Sequence, residues 1–157
     1  MSGLSPEPRQ AHRILLVDDE ADILESLQEL LQASIEGLEV DVAPSGEDAL
    51  QKLQDNKYDV LVSDYKMPGM NGMDLLREAY KKAPGTPRVL MTAFPDLQIA
   101  IEAINDARIE NFFTKPLDPE EVVDVLEAML KHRKASLNRD RAFARAMDMA
   151  RRKEGDA

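Results

Sequence analysis

Short apolar runs alternating with helical segments constrain this chain more than any other feature. The runs are Arg13–Val17, Val40–Val42, Asp59–Ser63, Arg88–Met91 and Asn111–Phe113. A run without a polar face must be covered on both sides, so these read as strands of an interior parallel sheet. The segments between them carry helical periodicity. Ile23, Leu24, Leu27, Leu30 and Leu31 share one face of a helix over 20–33. Ser45, with Asp48 three residues on, opens a second helix through Leu50 and Leu53. Lys66–Gly72 reads as a loop by its Pro and Gly content, and a third helix follows with Met73, Leu75, Leu76 and Ala79. Pro84–Pro87 is a turn. Asp96 caps a fourth helix with Leu97, Ala100, Ile101 and Ile104. Asp118-Pro119 starts a fifth, carrying Val122, Val125, Leu126, Met129 and Leu130. Five such units in strict alternation predict an α/β fold, a doubly wound parallel sheet with helices on both faces.

Composition narrows the possibilities. The 157 residues suit one domain, and 43% hydrophobic content is enough for a core. Aromatics make up 4% and tryptophan is absent, so the core is aliphatic with methionine filling gaps. Met67, Met70 and Met73 read as packing. The absence of cysteine excludes disulfides, thiolate metal sites and a cysteine nucleophile. There are two histidines, His12 in a leader and His132 on a charged helix. Neither has a motif around it, and both read as solvated. No run is long enough to span a membrane and no signal peptide opens the chain, which gives a cytoplasmic reading.

The net charge of −10 is divided unevenly. Residues 1–130 hold 26 acidic and 11 basic side chains, and residues 131–157 hold 4 and 9. An acidic body disfavours nucleic-acid binding, whereas a basic tail leaves that question open there.

In an open parallel sheet, ligands bind beyond the carboxyl ends of the strands. The first strand ends in Asp18-Asp19, the third in Asp64, the fourth in Thr92, and the fifth reaches Lys115-Pro116. Clustered carboxylates repel one another, and a hard divalent cation such as Mg²⁺ relieves that repulsion. A lysine opposite them neutralises phosphate charge, a threonine hydroxyl donates to a phosphoryl oxygen, and a carboxylate can accept a phosphoryl group covalently. Asp18, Asp19 and Glu20 taken alone would also suit a helix N-terminus.

With these pieces in place, the chain resembles a response-regulator receiver domain of two-component signalling. The resemblance rests on LLVDDE at 15–20, LVSDYKMPGMNG at 61–72, VLMTA at 89–93 and FTKP at 113–116, and it covers about residues 12–130. It implies a flavodoxin-like fold of five strands in the order 2-1-3-4-5. It implies Asp64 as phosphoryl acceptor, and Mg²⁺ held by Asp18, Asp19 (directly), Asp64 and the Lys66 backbone carbonyl. Lys115 would pair with the phosphoryl group, Thr92 would sense it, and Phe112 would be the switch aromatic. Lys115-Pro116 would be cis. The partner would be a histidine kinase or phosphotransfer protein. The protein would not be an enzyme beyond its own phosphotransfer and autodephosphorylation, and the remodelled face would be the fourth helix, fifth strand and fifth helix. Lys66 and Phe94 flank this site and would tune water access, although a surface lysine and a half-buried phenylalanine explain them equally.

Two other readings compete. A haloacid-dehalogenase-like phosphatase wants a second aspartate two residues after the first, where this chain has Lys66. A binding-only receiver would lack one of the acids or the lysine.

Residues 1–11 read as a flexible leader, 12–130 as the receiver, and 131–157 as a basic helical extension or linker. Nothing in 131–153 stops a helix, so the last helix is expected to continue. Leu126, Met129/Leu130, Leu137, Ala144 and Met147 approximate a seam for a homodimer, interrupted by Arg133 and Asp140. Alternatively the tail leads to a missing effector domain, or docks on an acidic or nucleic-acid partner.

Overall fold

A computed structural model describes residues 12–93, 96–132 and 135–155. The expected leader 1–11 and Phe94 lie outside the described residues.

The elements alternate as expected: β1 (His12–Val17), α1 (Ala21–Ser34), β2 (Leu38–Ala43), α2 (Gly46–Asp55), β3 (Val60–Asp64), α3 (Gly72–Lys82), β4 (Arg88–Thr92), α4 (Leu97–Asp106), β5 (Asn111–Thr114) and α5 (Pro119–His132). A further helix, α6, spans Ala135–Gly155. The five strands form one parallel sheet in the order β2-β1-β3-β4-β5.

Strand pleating divides the core between the two faces. Leu15, Val17, Leu61, Leu90 and Phe112 point to one face, with the buried residues of α3 and α4. Ile14, Leu16, Val60, Val62, Val89, Met91 and Phe113 point to the other, against Leu24, Leu27 and Leu31 of α1 and Val122, Leu126 and Met129 of α5. Every residue of β3 and β4 is buried, as strands covered on both faces require. Met67 and Met73 are buried and Met70 packs against the core, so the methionines serve as packing. The expected caps form. Ser45 Oγ accepts from the Asp48 N–H, and Asp96 and Asp118 accept from the first turns of α4 and α5.

Two expectations are corrected. His12 belongs to β1 rather than to a leader, and its Nδ1 lies 3.7 Å from Asp59 Oδ2, with the side chain one-third exposed. More important, the last helix does not simply extend. The chain reverses after α5, and α6 packs on α4 and β5. Arg145 reaches Phe112 at the start of β5 and Met149 reaches Thr114 at its end, so α6 runs parallel to β5 and antiparallel to α5. Neither a proline nor a glycine marks this reversal. What drives it is burial: Ala142 and Ala146 are 0% and 2% exposed within the core cluster that holds Phe112. The sheet's edge strand is thereby covered.

The dimer seam drawn from spacing is likewise redistributed. Leu126, Met129 and Leu130 are buried in the domain's own core. Ala144 is exposed, and the Leu137 side chain lies outside the described residues.

Candidate functional site

The strand register builds the site. Val17 pairs with Ser63, so Asp18 and Asp64 stand level at the ends of adjacent strands. Asp64 is paired with Met91, which puts Thr92 one step further along β4. Thr92 pairs with Thr114, and the Lys115 N–H donates to the Thr92 carbonyl at 2.9 Å. Lys115 is joined to Pro116 by a cis peptide bond. From there its side chain reaches back across the sheet. Lys115 Nζ lies 2.8 Å from Asp18 Oδ2 and 3.2 Å from Asp64 Oδ1.

Carboxylate oxygens of Asp18, Asp19 and Asp64 lie within 4.8 Å of one another. Asp18 is fully buried, Asp64 nearly so, and Asp19 is exposed. Asp18 is shared between two tasks. Its Oδ1 accepts from the Glu20 N–H where α1 begins, and its Oδ2 takes Lys115. One carboxylate thus serves both the start of α1 and the polar cluster at the strand ends.

Burial pushes the Asp64 carboxyl above its ordinary range, and the negative charge of Asp18 adds to this; Lys115 opposes both. Burial draws the Lys115 ammonium down, but hydrogen bonds and attraction to Asp18 and Asp64 outweigh it and hold the proton more tightly than usual. Three carboxylates against one ammonium leave excess negative charge, and hard oxygen donors at this spacing suit a small divalent cation.

The other predicted residues sit around this centre. Thr92 is buried at the end of β4. Phe112 is fully buried one strand over. Lys66 is exposed and lines a shallow pocket with Tyr65, Met67, Gly69, Asn71 and Ile99.

Some residues were not singled out by sequence reasoning. Asn71 caps α3 by accepting from the Asp74 N–H. An Asn before Gly-Met-Asp has the residue types of a cap, so this signal was available. Gly72 donates its N–H to the Tyr65 carbonyl at 2.7 Å, directly beside Asp64. An apolar cavity of about 580 Å³ opens next to Lys115, between Ile23, Leu27 and Leu30 of α1 and Pro116, Leu117 and Pro119.

Fold and site together define the class: a doubly wound α/β domain with its polar chemistry gathered in one crevice, acids facing a single lysine. The sequence pattern of the response regulator receiver domain matches residues 14–127, and the chain belongs to that family. Among curated relatives, the transcriptional regulatory protein ZraR of Salmonella typhimurium is 34% identical over 119 residues, covering 76% of this chain and 26% of that protein. GlrR of Escherichia coli is 32% identical over 152 residues, covering 91% and 33%. The chain thus spans about a quarter to a third of the length of these regulators. Among solved structures, the signal receiver domain of an HD domain-containing protein from Pseudomonas fluorescens Pf-5 superposes with a TM-score of 0.74 at 34% identity, covering 79% of this chain and 98% of the other. A CheY-like receiver domain protein from Methanospirillum hungatei gives 0.73 at 30%, covering 78% and 95%. No helix among the described residues is long and apolar enough to cross a membrane.

Proposed function

We propose that this chain is a phosphoacceptor switch of a two-component relay, cytoplasmic, with Asp64 as the residue that receives the phosphoryl group. The observation that carries this reading is Lys115 Nζ, which lies within 3.2 Å of Asp64 and 2.8 Å of Asp18 at the carboxyl edge of the sheet.

A donor phosphohistidine, on a sensor kinase or phosphotransfer protein, presents phosphorus to Asp64. A carboxylate oxygen attacks, the P–N bond breaks as the O–P bond forms, and the aspartyl phosphate remains. Lys115 neutralises charge on the transferred group, and catalysis is positioning plus charge compensation. Asp18, Asp19, Asp64 and the Lys66 carbonyl would hold Mg²⁺, which when bound offsets the negative charge of the acids and the phosphoryl oxygens. Thr92 donates its hydroxyl to a phosphoryl oxygen. Phe112 then follows, and a pre-existing equilibrium shifts. The apolar groove beside Lys115 gives a helix of the donor protein a docking place next to the acceptor. Attack of water on the same phosphorus returns the resting state.

Incubation with acetyl phosphate and Mg²⁺, followed by trapping and peptide mapping, tests the assignment. Modification at Asp64 that disappears in Asp64→Asn is expected. The same level of modification in that variant would refute it. The relatives' regulatory output belongs to regulators longer than this chain, and we propose that this one acts as their receiver does.

A further inference from the structure

The face that Phe112 reports to is already covered in this chain. Helix α6 lies across α4, β5 and the start of α5 and makes five kinds of contact there. Ala142 and Ala146 are buried in the cluster that contains Phe112, Ala100 and Ala103. Arg145 Nε donates to the Phe112 main-chain carbonyl at 2.9 Å. The same guanidinium lies 5.6 Å from the Phe113 ring centroid and pairs with Glu121 of α5. Thr114 Oγ1 contacts Met149 Sδ at 2.7 Å. The docking also joins opposite charges, since a basic tail folds onto an acidic body.

We propose that α6 is an intramolecular latch. Docked, it masks the α4–β5–α5 face, and loading of Asp64 weakens the docking and frees that face. This rests on the phosphoacceptor reading above. The coupling has a short physical route. Lys115 bonds to Asp64 and lies three residues after Phe112, just beyond the end of the same short strand, and the Phe112 carbonyl is an anchor of α6. A rearrangement of Phe112 disturbs both the small-residue surface under Ala142 and Ala146 and the acceptor that Arg145 uses. Linkage makes the effect reciprocal: if loading Asp64 weakens the latch, breaking the latch eases loading of Asp64 by the same factor.

The test uses the full chain, Arg145→Ala and Ala146→Arg, and the probe is beryllofluoride with Mg²⁺. Fluorine NMR reports whether beryllofluoride is bound. Hydrogen exchange of the amides at 142–152 reports the latch, and exchange in β1 and α1 reports that the fold is intact. In the parent chain without the probe, the 142–152 amides exchange slowly, and either substitution speeds them about tenfold while β1 is unchanged. Binding of beryllofluoride speeds them about as much in the parent. Arg145→Ala half-saturates at about twofold lower beryllofluoride concentration, a gain that a merely structural arginine would not give. Bound fluorine with α6 still protected would overturn the latch and leave the phosphoacceptor reading standing. Absence of any bound fluorine signal would overturn both.

Discussion

Gly72 lies so close to Asp64 that a Cβ on it would fall 2.0 Å from the Asp64 main-chain oxygen and 2.9 Å from the Tyr65 Cα. Helix α3 therefore begins against the peptide that carries Asp64, and only glycine allows that approach. In Gly72→Ala the helix must retreat from the end of β3. The expected cost is about 2–4 kcal/mol, read as a fall in Tm, together with weakened beryllofluoride binding in the folded fraction. A variant that melts within about 1 °C of the parent and loads normally would show that the contact relaxes freely.

Lys115→Met keeps the apolar stem of the lysine but removes its charge. Asp18, fully buried, and Asp64 then face each other without their shared cation. Leaving a buried carboxylate unpaired costs about 3–5 kcal/mol. Chemical denaturation measures this directly. Millimolar Mg²⁺ is expected to restore part of the loss in this variant, because a cation in the same crevice offsets the same charge. Equal losses with and without Mg²⁺ would argue against a cation site there.

The raised Asp64 carboxyl has a pH consequence whose sign is fixed. A folded pKa above the unfolded value of 3.8 means that the native state holds its proton to higher pH than the unfolded chain. Stability attributable to this group is present at low pH and falls as pH rises from 3.8 through the folded value. Asp64→Asn, which cannot ionise, is therefore expected to melt above the parent near neutrality, with the gain vanishing at about pH 3 to 4. Added Mg²⁺ should narrow the gap by raising the parent alone. A gap that does not change between these pH values would contradict the burial and repulsion argument.

Arg88 offers a contrast. It is buried at the start of β4, far from the acids, and donates to the carbonyls of Ala107, Thr86 and Arg108 while lying over the Tyr80 ring. Arg88→Met leaves those carbonyls short of donors and is expected to cost about 2–4 kcal/mol. Phosphorylation of the folded protein should be unchanged. Loss of Asp64 labelling in the folded fraction would mean that this end of the sheet is coupled to the site.

How much of this was legible depended on the kind of signal. Strand ends were readable because buried runs stop abruptly at Asp18, Asp64 and Thr92, and helix starts because Ser45, Asp96 and Asp118 have the chemistry that caps require. The gathering of Asp18, Asp64 and Lys115 followed from the rule that ligand-binding groups collect at one sheet edge. The helical character of 135–155 was legible, but the docking of α6 was not. Among its described side chains Ala142 and Ala146 are buried and Met149 packs beside them, and alanine carries little hydrophobic contrast in a segment so rich in charge. Spacing instead favoured a seam through Ala144 and Met147, a different stripe of the same helix. Nothing in the sequence singles out Arg145, because its acceptor, a main-chain carbonyl, leaves no trace there. The close approach at Gly72 was hidden for the same reason.

The bond between Lys115 and Asp18 joins residues 97 apart. Strand β1 lies between β2 and β3, so Asp18 is level with Asp64 once the first half of the chain is in place, whereas the lysine arrives only with β5 at the sheet's far edge. During synthesis, then, the acids stand together without their counter-charge until nearly the whole domain has emerged. A nascent or nicked chain lacking β5 holds Asp18 and Asp64 but not the lysine that pairs with them. On the phosphoacceptor proposal, competence to take a phosphoryl group belongs to the completed sheet, and a phosphorylation assay on this protein is expected to double as a measure of how many molecules have finished folding.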